Sequence, residues 1–571
     1  MAGERDCAVI VIGAGPCGLM LAIELGRRNI PVIVLEEKAS PARFPAANAT
    51  QARTMEHYRR LGFAEQIRAL GLPGDYPTDI AYFDRYVGHE LARFRLPSAQ
   101  AARAMIRTLT GSWSAAELPH RCSQMYIESV LRAQAQACAT VSIRAGWCAV
   151  ALHQDTDAVA VEAERVDGSD RAMLEAAYVV GADGAASRTR KMLGYDLVGE
   201  GGKVRDFLGG RMLALYFRSA DVYDVIPHPR AWMYWAVNRE RRGIMACLNG
   251  RDEFVFHTQL REGEEAFRIS DAEANAFFHL ALGARLDIDI IARSAWNAGY
   301  ALVAEGFRNG RVLLAGDAAH LFTPTGGLGY NTAVEDAVNL GWKLAAVLKG
   351  WGGPVLIDSY ELERRAIACR NTAHARTFAD SVGGFVPPRE LEEEGAAGEA
   401  ARKAAGDHLG AHARFEFDIP GITFGARYDG SPVIVPDGRS PPADTVNDYP
   451  APAAALRTCG CPTGARSTTR SASSSRSCAW GRPRSMRLRS RRQRLRSRCR
   501  LRFSTWRATR RATSMAPTSP SSVPIRSSPG AAMQRPAPRR CCSGSPATDD
   551  SAPITGRGFP LCPAANSGTS V

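Results

Sequence analysis

The sequence predicts an α/β protein: a parallel sheet flanked by helices, joined to a second domain built on a mixed β-sheet and followed by a disordered or irregular C-terminal tail. Three observations predict it. An apolar strand at residues 8–12 runs through a glycine-rich turn into a helix and a second strand, the pattern of a βαβ unit. Residues 207–260 instead alternate in short β-like runs broken by Gly, Pro and charged turns. Beyond residue 450 the composition shifts to Arg, Ser, Thr, Pro and Ala with almost no acid, and no helical or strand period is sustained.

At 571 residues and 45% hydrophobic composition the chain is long enough for two or three domains with a large core. Met1 to Asp6 is polar and lacks the basic and apolar regions of a secretory signal. No uncharged apolar run reaches the roughly 18 residues needed to span a bilayer, so a cytoplasmic protein without a membrane partner is the expectation. The formal charge of +14 hides an asymmetry. Residues 451–571 hold 23 Arg, no Lys and only two acids, a net of +21, which leaves −7 for the first 450 residues. The 14 cysteines divide equally between body and tail. The body shows no CxxC and no metal spacing, which fits reduced cytosolic thiols. Cys459 with Cys461, and Cys541 with Cys542, lack histidines at ligand spacing, so no metal site is expected.

Residues 8–12, AVIVI, lead directly into Gly13-Ala14-Gly15-Pro16-Cys17-Gly18, then the helical pattern LMLAIELGRR, then the strand PVIVLEE ending in Glu36. This is GxGxxG in the first turn of a Rossmann-type unit. Gly13 makes the tight turn, Gly15 admits a pyrophosphate, and Gly18 lets helix and strand pack closely. The anion would sit on the helix N-terminus. Glu36 follows Gly13 by 23 positions, near the roughly 20 expected of the acid that accepts from ribose hydroxyls. A second signal is YVVGADGAASRTRKMLG, in which an apolar strand meets Asp183-Gly184. The third is GRVLLAGDAAHLFTPTGGLGYNTAVEDAVNL: a strand delivers Gly316-Asp317, and a glycine-rich loop opens a long helix from about Asn331. An aspartate at a strand end can accept from a polyol, and a helix start offers N–H groups and a positive dipole end.

These three motifs in this order resemble the single-component, class A flavoprotein aromatic hydroxylases related to p-hydroxybenzoate, phenol and polyketide hydroxylases, over about residues 7–440. The resemblance implies FAD as cofactor, NADPH or NADH as electron donor, and hydroxylation of an aromatic substrate with O2 through a flavin hydroperoxide. It assigns Gly13, Gly15 and Gly18 to the FAD pyrophosphate and Glu36 to the adenosine ribose. Arg53 matches an arginine reaching the FAD phosphates, and Gln124, in RCSQMYIESVLRAQA, a glutamine on the flavin side. Asp183 and Gly184 match a DG motif used for both FAD and NAD(P)H, and Asp317 the aspartate on the ribityl chain. Pro324, Gly327, Leu328, Gly329 and Asn331 match the loop and helix start against the isoalloxazine. The expected domains are a discontinuous FAD-binding domain (1–74, 106–194 and 300–380), a substrate-binding sheet domain (75–105 and 195–299) and a connecting segment (381–450). The resemblance leaves room for a homodimer.

In this chemistry the cofactor performs the hard step while the protein supplies placement, electrostatics and water exclusion, so no catalytic acid or base is assigned. Some phenol-hydroxylase-like relatives carry an aspartate five residues before the motif arginine. That position here is Asn48, which cannot act as a base. A tyrosine such as Tyr234, an already activated substrate, or a reaction other than phenol hydroxylation are the alternatives. Asn48, Trp232, Tyr234 and Trp235 are the candidate substrate contacts, with an ordinary sheet core the competing reading of the three aromatics. His320 reads as structural. A Baeyer–Villiger or epoxidising flavoenzyme of the same fold stays open. So does an inactive flavoprotein with a nucleic-acid-binding tail, although no aromatic interleaving or recognised module supports nucleic-acid binding.

Residues 451–571 read as a basic low-complexity tail produced by a frameshift. Back-translating Ala455–Arg470 with GC-rich codons and reading from each third base can give APHLWLPDGRSLYDA, and Arg511–Ile525 can give RDLYGADLALVRPD at the same offset. Both strings resemble parts of the thioredoxin-like C-terminal domain found in such hydroxylases. No compact fold is expected of the tail as translated.

Overall fold

The computed structural model describes residues 5–448 other than 42–43, 202–206, 436–437, 439, 441 and 443, together with the antiparallel pair Thr458–Gly460 and Arg466–Thr468. The frameshift reading otherwise falls outside the described residues. The protein has an α/β fold of mixed sheets. Cys7–Ile12 is apolar and β-branched, and five of its six residues are buried, as a central parallel strand requires. It pairs in parallel with Val32–Glu36 on one side and Arg171–Gly181 on the other. Val312–Leu314 joins beyond Arg171–Gly181, and Val141–Ala145 beyond Val32–Glu36, again in parallel. The register sets Ile12 beside Leu35 and Gly181, and Gly181 beside Leu314. Four strands therefore end in one row, and in such sheets ligands bind just past that row.

Helix Pro16–Gly26, started by proline, is buried from Cys17 to Gly26 between this sheet and helix Leu328–Leu348. The crossing is close because Gly341 has no side chain: a Cβ there would stand 2.7 Å from the Glu24 Cβ. Glu24 is fully buried yet ion-paired with Arg28 and Arg60. Burial would raise its carboxyl, but the two guanidinium groups outweigh it and hold the pKa below the usual value.

The second sheet has seven strands in the order Asp289–Asn297, Arg211–Arg218, Glu253–Gln259, Gly243–Cys247, Met233–Ala236, Ile80–Phe83, Glu90–Phe94. Residues 80–94 thus join a sheet made otherwise of residues 211–297, through parallel pairing of Ile80–Phe83 with Met233–Ala236. Helix Asp271–Leu282 opens with a Ser270–Glu273 capping box and inserts Phe278 against Phe217 and Phe256. The stretch 381–450, read from the sequence only as a connection, contains the 22-residue helix Ala396–Phe417, which packs on Ile80–Phe83 and Glu90–Phe94. No helix of the described residues is long and apolar enough to cross a membrane.

Candidate functional site

The glycine turn is built so that nothing larger fits at two of its three glycines. Gly13 has φ +105°, and a Cβ there would lie 2.3 Å from the Ala182 carbonyl oxygen, so the turn is pressed against the exit of the 171–181 strand. A Cβ on Gly18 would fall 2.0 Å from the Gly13 carbonyl oxygen. Gly15, by contrast, has no atom within 4 Å of its Cβ position. It caps helix Pro16–Gly26 without a side-chain hydrogen bond, which leaves the N–H groups of the first turn open to an anion. Glu36 is fixed beside them. Its Oε2 accepts from the Ala14 N–H at 2.7 Å and its Oε1 from the Lys38 N–H at 2.9 Å.

Asp183 spends its carboxylate on its own turn. It accepts from the Ser187 hydroxyl at 2.6 Å and from the Thr189 N–H and hydroxyl at 2.9 and 3.0 Å, so it shapes the start of helix Arg188–Met192. Gly184 follows in the left-handed region at φ +78°. Arg190 from that helix donates to the Ala318 carbonyl at 3.0 Å and ties the second motif to the third. There Gly316 packs on Cys17, its Cβ position 3.1 Å away, and donates to Asp336 at 3.1 Å. Asp317 is different: its side chain is exposed, and no hydrogen bond or ion pair engages it among the described residues. Protein nevertheless crowds around it, and desolvation, reinforced by Asp336, raises its carboxyl. His320 is buried, with Nε2 2.7 Å from Asp336.

The loop that follows turns on Gly326 and Gly327, both at positive φ, and Gly327 caps helix Leu328–Leu348 with no side-chain bond. Asn331 holds the loop in place. Its Oδ1 accepts from the Gln51 N–H at 2.8 Å, and its Nδ2 donates to Ala49 and Gly327 carbonyls at 2.9 and 2.6 Å. The amide is fully used in tying residues 49–51 to the loop. Glu416 adds a brace from helix Ala396–Phe417, accepting from the Gly326 N–H at 2.7 Å. Pro324 is exposed, Leu328 is buried, and Gly329 packs near Phe322.

Arg53 donates to Glu56 at 2.6 Å and lies 5.3 Å from the Phe424 ring centroid. Gln124 donates its backbone N–H to Ala47 at 2.7 Å and its amide to Glu128 at 2.7 Å. Burial raises the Glu128 carboxyl, and Glu36 is among the charges acting on it. The structure therefore brings Gly13, Gly15, Gly18, Glu36, Asp183, Gly184 and Asp317 to one row of strand ends. Through residues 47–51 it joins Gln124, Gly327 and Asn331 to one another.

The substrate candidates divide. The Asn48 Oδ1 is buried with no hydrogen-bond partner among the described residues. Tyr234 packs on Phe83 and Tyr86, accepts from the Ala231 N–H at 2.8 Å, and has its phenol pushed up to about 12 by burial. It keeps its proton and offers no base. Trp232 lies under the Arg121 guanidinium, 4.3 Å from its ring centroid, and Trp235 faces Tyr82 and His412. Arg121, His412, Glu416 and Phe417 gather beside the loop although no sequence pattern singled them out. Arg121 sits in a two-residue strand, and the other three end a helix within the supposed connection. No group of three or more His, Cys, Asp or Glu placed to hold a metal occurs among the described residues.

An open glycine at an uncapped helix start, a fixed acid beside it, and an exposed aspartate with no partner among the described residues at a strand end of the same row fit the phosphates, ribose and polyol of a flavin dinucleotide. The site and fold define a FAD-binding flavoprotein. The chain belongs to the FAD-binding domain family, whose model matches residues 6–375. It is 31% identical over 376 residues to the FAD-dependent monooxygenase apdD of Emericella nidulans, covering 63% of this chain and 58% of that protein, less than two thirds of its length. A putative polyketide hydroxylase of Streptomyces halstedii is 32% identical over 66% of this chain and 67% of its own. The solved complex of the flavin-dependent monooxygenase PieE with FAD and substrate is similar at TM-score 0.70 and 27% identity, covering 80% of this chain and 81% of that one.

Proposed function

We propose that the chain is a FAD-dependent monooxygenase that takes electrons from NADH or NADPH and hydroxylates an aromatic substrate, phenolic or polyketide in kind, with O2. The observation that carries this reading is the unpaired Asp317 on the same row of strand ends as the open Gly15 turn. The relatives named as monooxygenases and polyketide hydroxylases support it.

Bound FAD would supply the redox chemistry. The rest is positioning by this chain. Gly13, Gly15, Gly18 and the start of helix Pro16–Gly26 would hold the pyrophosphate, Glu36 the ribose, and Arg53 the phosphates. Asp317 would take the ribityl chain, and the backbone from Pro324 to Gly329 would face the ring. Gln124 would line the flavin side. Asn331 acts through the loop it ties down, and Asp183 through the turn it shapes. The second sheet and helix Ala396–Phe417 would cover the ring and exclude water. Asn48 stands in place of an acid and Tyr234 holds its proton, so neither of these two removes a phenolic proton, and a substrate already activated toward oxygen transfer suits the site. Purified protein should be yellow, and a panel of phenols and polyketides should include at least one compound that accelerates its NAD(P)H oxidation. Colourless protein, or oxidation indifferent to every aromatic, would count against the reading.

A further inference from the structure

Arg121 stands where three parts of the fold meet. Its strand His120–Arg121 pairs with Ala49–Thr50, and Ala49 packs on the loop: a Cβ added to Gly327 would lie 2.9 Å from the Ala49 Cβ. From the second sheet, Trp232 stacks under the guanidinium at 4.3 Å, and from helix Ala396–Phe417 the Phe417 ring lies at 5.8 Å. The residue is only 7% exposed, and no hydrogen bond or ion pair engages its side chain among the described residues. Glu416 acts on it electrostatically without pairing with it. Glu416 Oε1 accepts from the Gly326 N–H, while Oε2 stands 2.9 Å from His412 Nε2 without a hydrogen bond to it. The Arg121 donors therefore have no hydrogen-bonded counter-charge among the described residues, and the aromatic contacts offset only part of what burying a cation costs.

The neighbouring atoms show the same deficit. Tyr82 Oη, Trp235 Nε1 and His412 Nδ1 are buried and have no hydrogen-bond partner among the described residues. Their rings lie 5.6 to 6.4 Å from one another. His412 shares its helix with Glu416 and Phe417, so this group and Arg121 flank the loop against which the flavin ring is proposed to lie. Aromatic faces with unspent polar edges suit a planar ring, and the planar fork of a guanidinium suits a carboxylate.

We propose that Arg121 binds a carboxylate carried by the aromatic substrate and thereby restricts the enzyme to aromatic acids. This rests on the aromatic-hydroxylase reading above. The test uses the holoenzyme in equilibrium dialysis with 3-hydroxy-2-naphthoate and its neutral counterpart, 3-hydroxy-2-naphthamide. The wild-type protein should bind the acid about tenfold or more tightly than the amide, the preference that a charge-assisted hydrogen bond confers. Arg121→Met should bring the ratio close to one by weakening the acid alone, and Arg121→Lys, which keeps a point charge, should fall between. Bound FAD per protein reports folding, and Arg121→Lys carries the test if Arg121→Met does not fold. An unchanged ratio in the variants, or a wild-type protein that binds both probes alike or neither, overturns the assignment. NAD(P)H oxidation separates the two levels. If neutral aromatics stimulate it as well as acids do, only the role of Arg121 fails; if nothing aromatic stimulates it, the hydroxylase reading fails.

Discussion

The Glu36 carboxylate accepts from the Ala14 backbone N–H at 2.7 Å, so the acid that ends the second strand is locked onto the glycine turn that ends the first. The bond holds Glu36 in place beside the open Gly15. Glu36→Ala should weaken FAD retention by about 1–3 kcal/mol, because both the turn bond and the proposed ribose acceptor disappear. Fluorescence titration of the apoprotein with FAD checks it. Unchanged affinity would remove Glu36 from the site.

Asp317 has no hydrogen-bond or ion-pair partner among the described residues, whereas Asp183 accepts three hydrogen bonds from Ser187 and Thr189. The two aspartates should therefore respond oppositely. Asp317→Ala should lower FAD affinity by about 1–3 kcal/mol while leaving the apoprotein's thermal midpoint nearly unchanged. Asp183→Ala should lower that midpoint by several degrees, because three native hydrogen bonds are lost. Calorimetry with and without FAD separates the two effects.

Asn331 ties residues 49–51 to the Gly327 loop through three hydrogen bonds. Asn331→Ala leaves two half-buried carbonyls and one N–H short of a partner, at a cost of about 1–3 kcal/mol in stability. Asn331→Asp keeps the acceptor toward Gln51 but loses both donors and should also destabilise. Denaturant unfolding measures both; a stable Asn331→Ala would show that the loop is held by packing alone.

Acid should destabilise the fold in two stages. His120 is buried, and burial, with Arg68 adding repulsion, drives its imidazole down to about 3. The native state therefore refuses a proton that the unfolded chain binds near its ordinary pKa of about 6.5. The stability linked to His120 is complete above about pH 6.5 and is lost as pH falls toward 3, by up to about 1.4 kcal/mol per pH unit. Glu24 and Asp336 have depressed carboxyl pKa values, so their contribution is present above the unfolded carboxylate range and fades as pH drops through their lowered values. Thermal midpoints measured from pH 7.5 to 4.5 should already decline between pH 6.5 and 5. His120→Asn should lessen that first decline, which His257, lowered to about 4 by burial, shares, and an identical slope in the variant would contradict this account.

The break in composition near residue 450 is proposed to record a shifted reading frame. Resequencing the gene should find one inserted or deleted base near codons 445–456, whose correction restores a thioredoxin-like C-terminus. A confirmed nucleotide sequence whose alternative frame soon meets stop codons would sink the proposal, leaving salt-dependent nucleic-acid binding by the Arg-rich stretch to be measured.

What was legible in the sequence was local. Gly13, Gly15, Gly18 and Glu36 lie within one βαβ unit, where strand, turn and helix follow from neighbouring residues, and the structure sets them side by side. The second sheet was visible as alternation at 207–260. Which residues face which partner was not, because that depends on pairing between distant segments. Tyr234 and Trp235 are adjacent in sequence, yet one packs on Phe83 and the other on Tyr82 and His412. Arg121 became notable only once Ala49 pairing, Trp232 and Phe417 were brought around it. Nor could the motif at Asn331 reveal that its amide is spent on backbone.

The central claim is oxygen insertion into an aromatic ring by a FAD-loaded protein, and isotopically heavy O2 tests it most directly. The FAD-loaded enzyme, NADPH or NADH, and an aromatic acid that stimulates oxidation should be incubated under labelled O2 and the product weighed by mass spectrometry. The account predicts a product carrying one labelled oxygen atom bound to a ring carbon. Oxidation of the nicotinamide with no oxygenated product, or a product whose new oxygen comes from water, would contradict it.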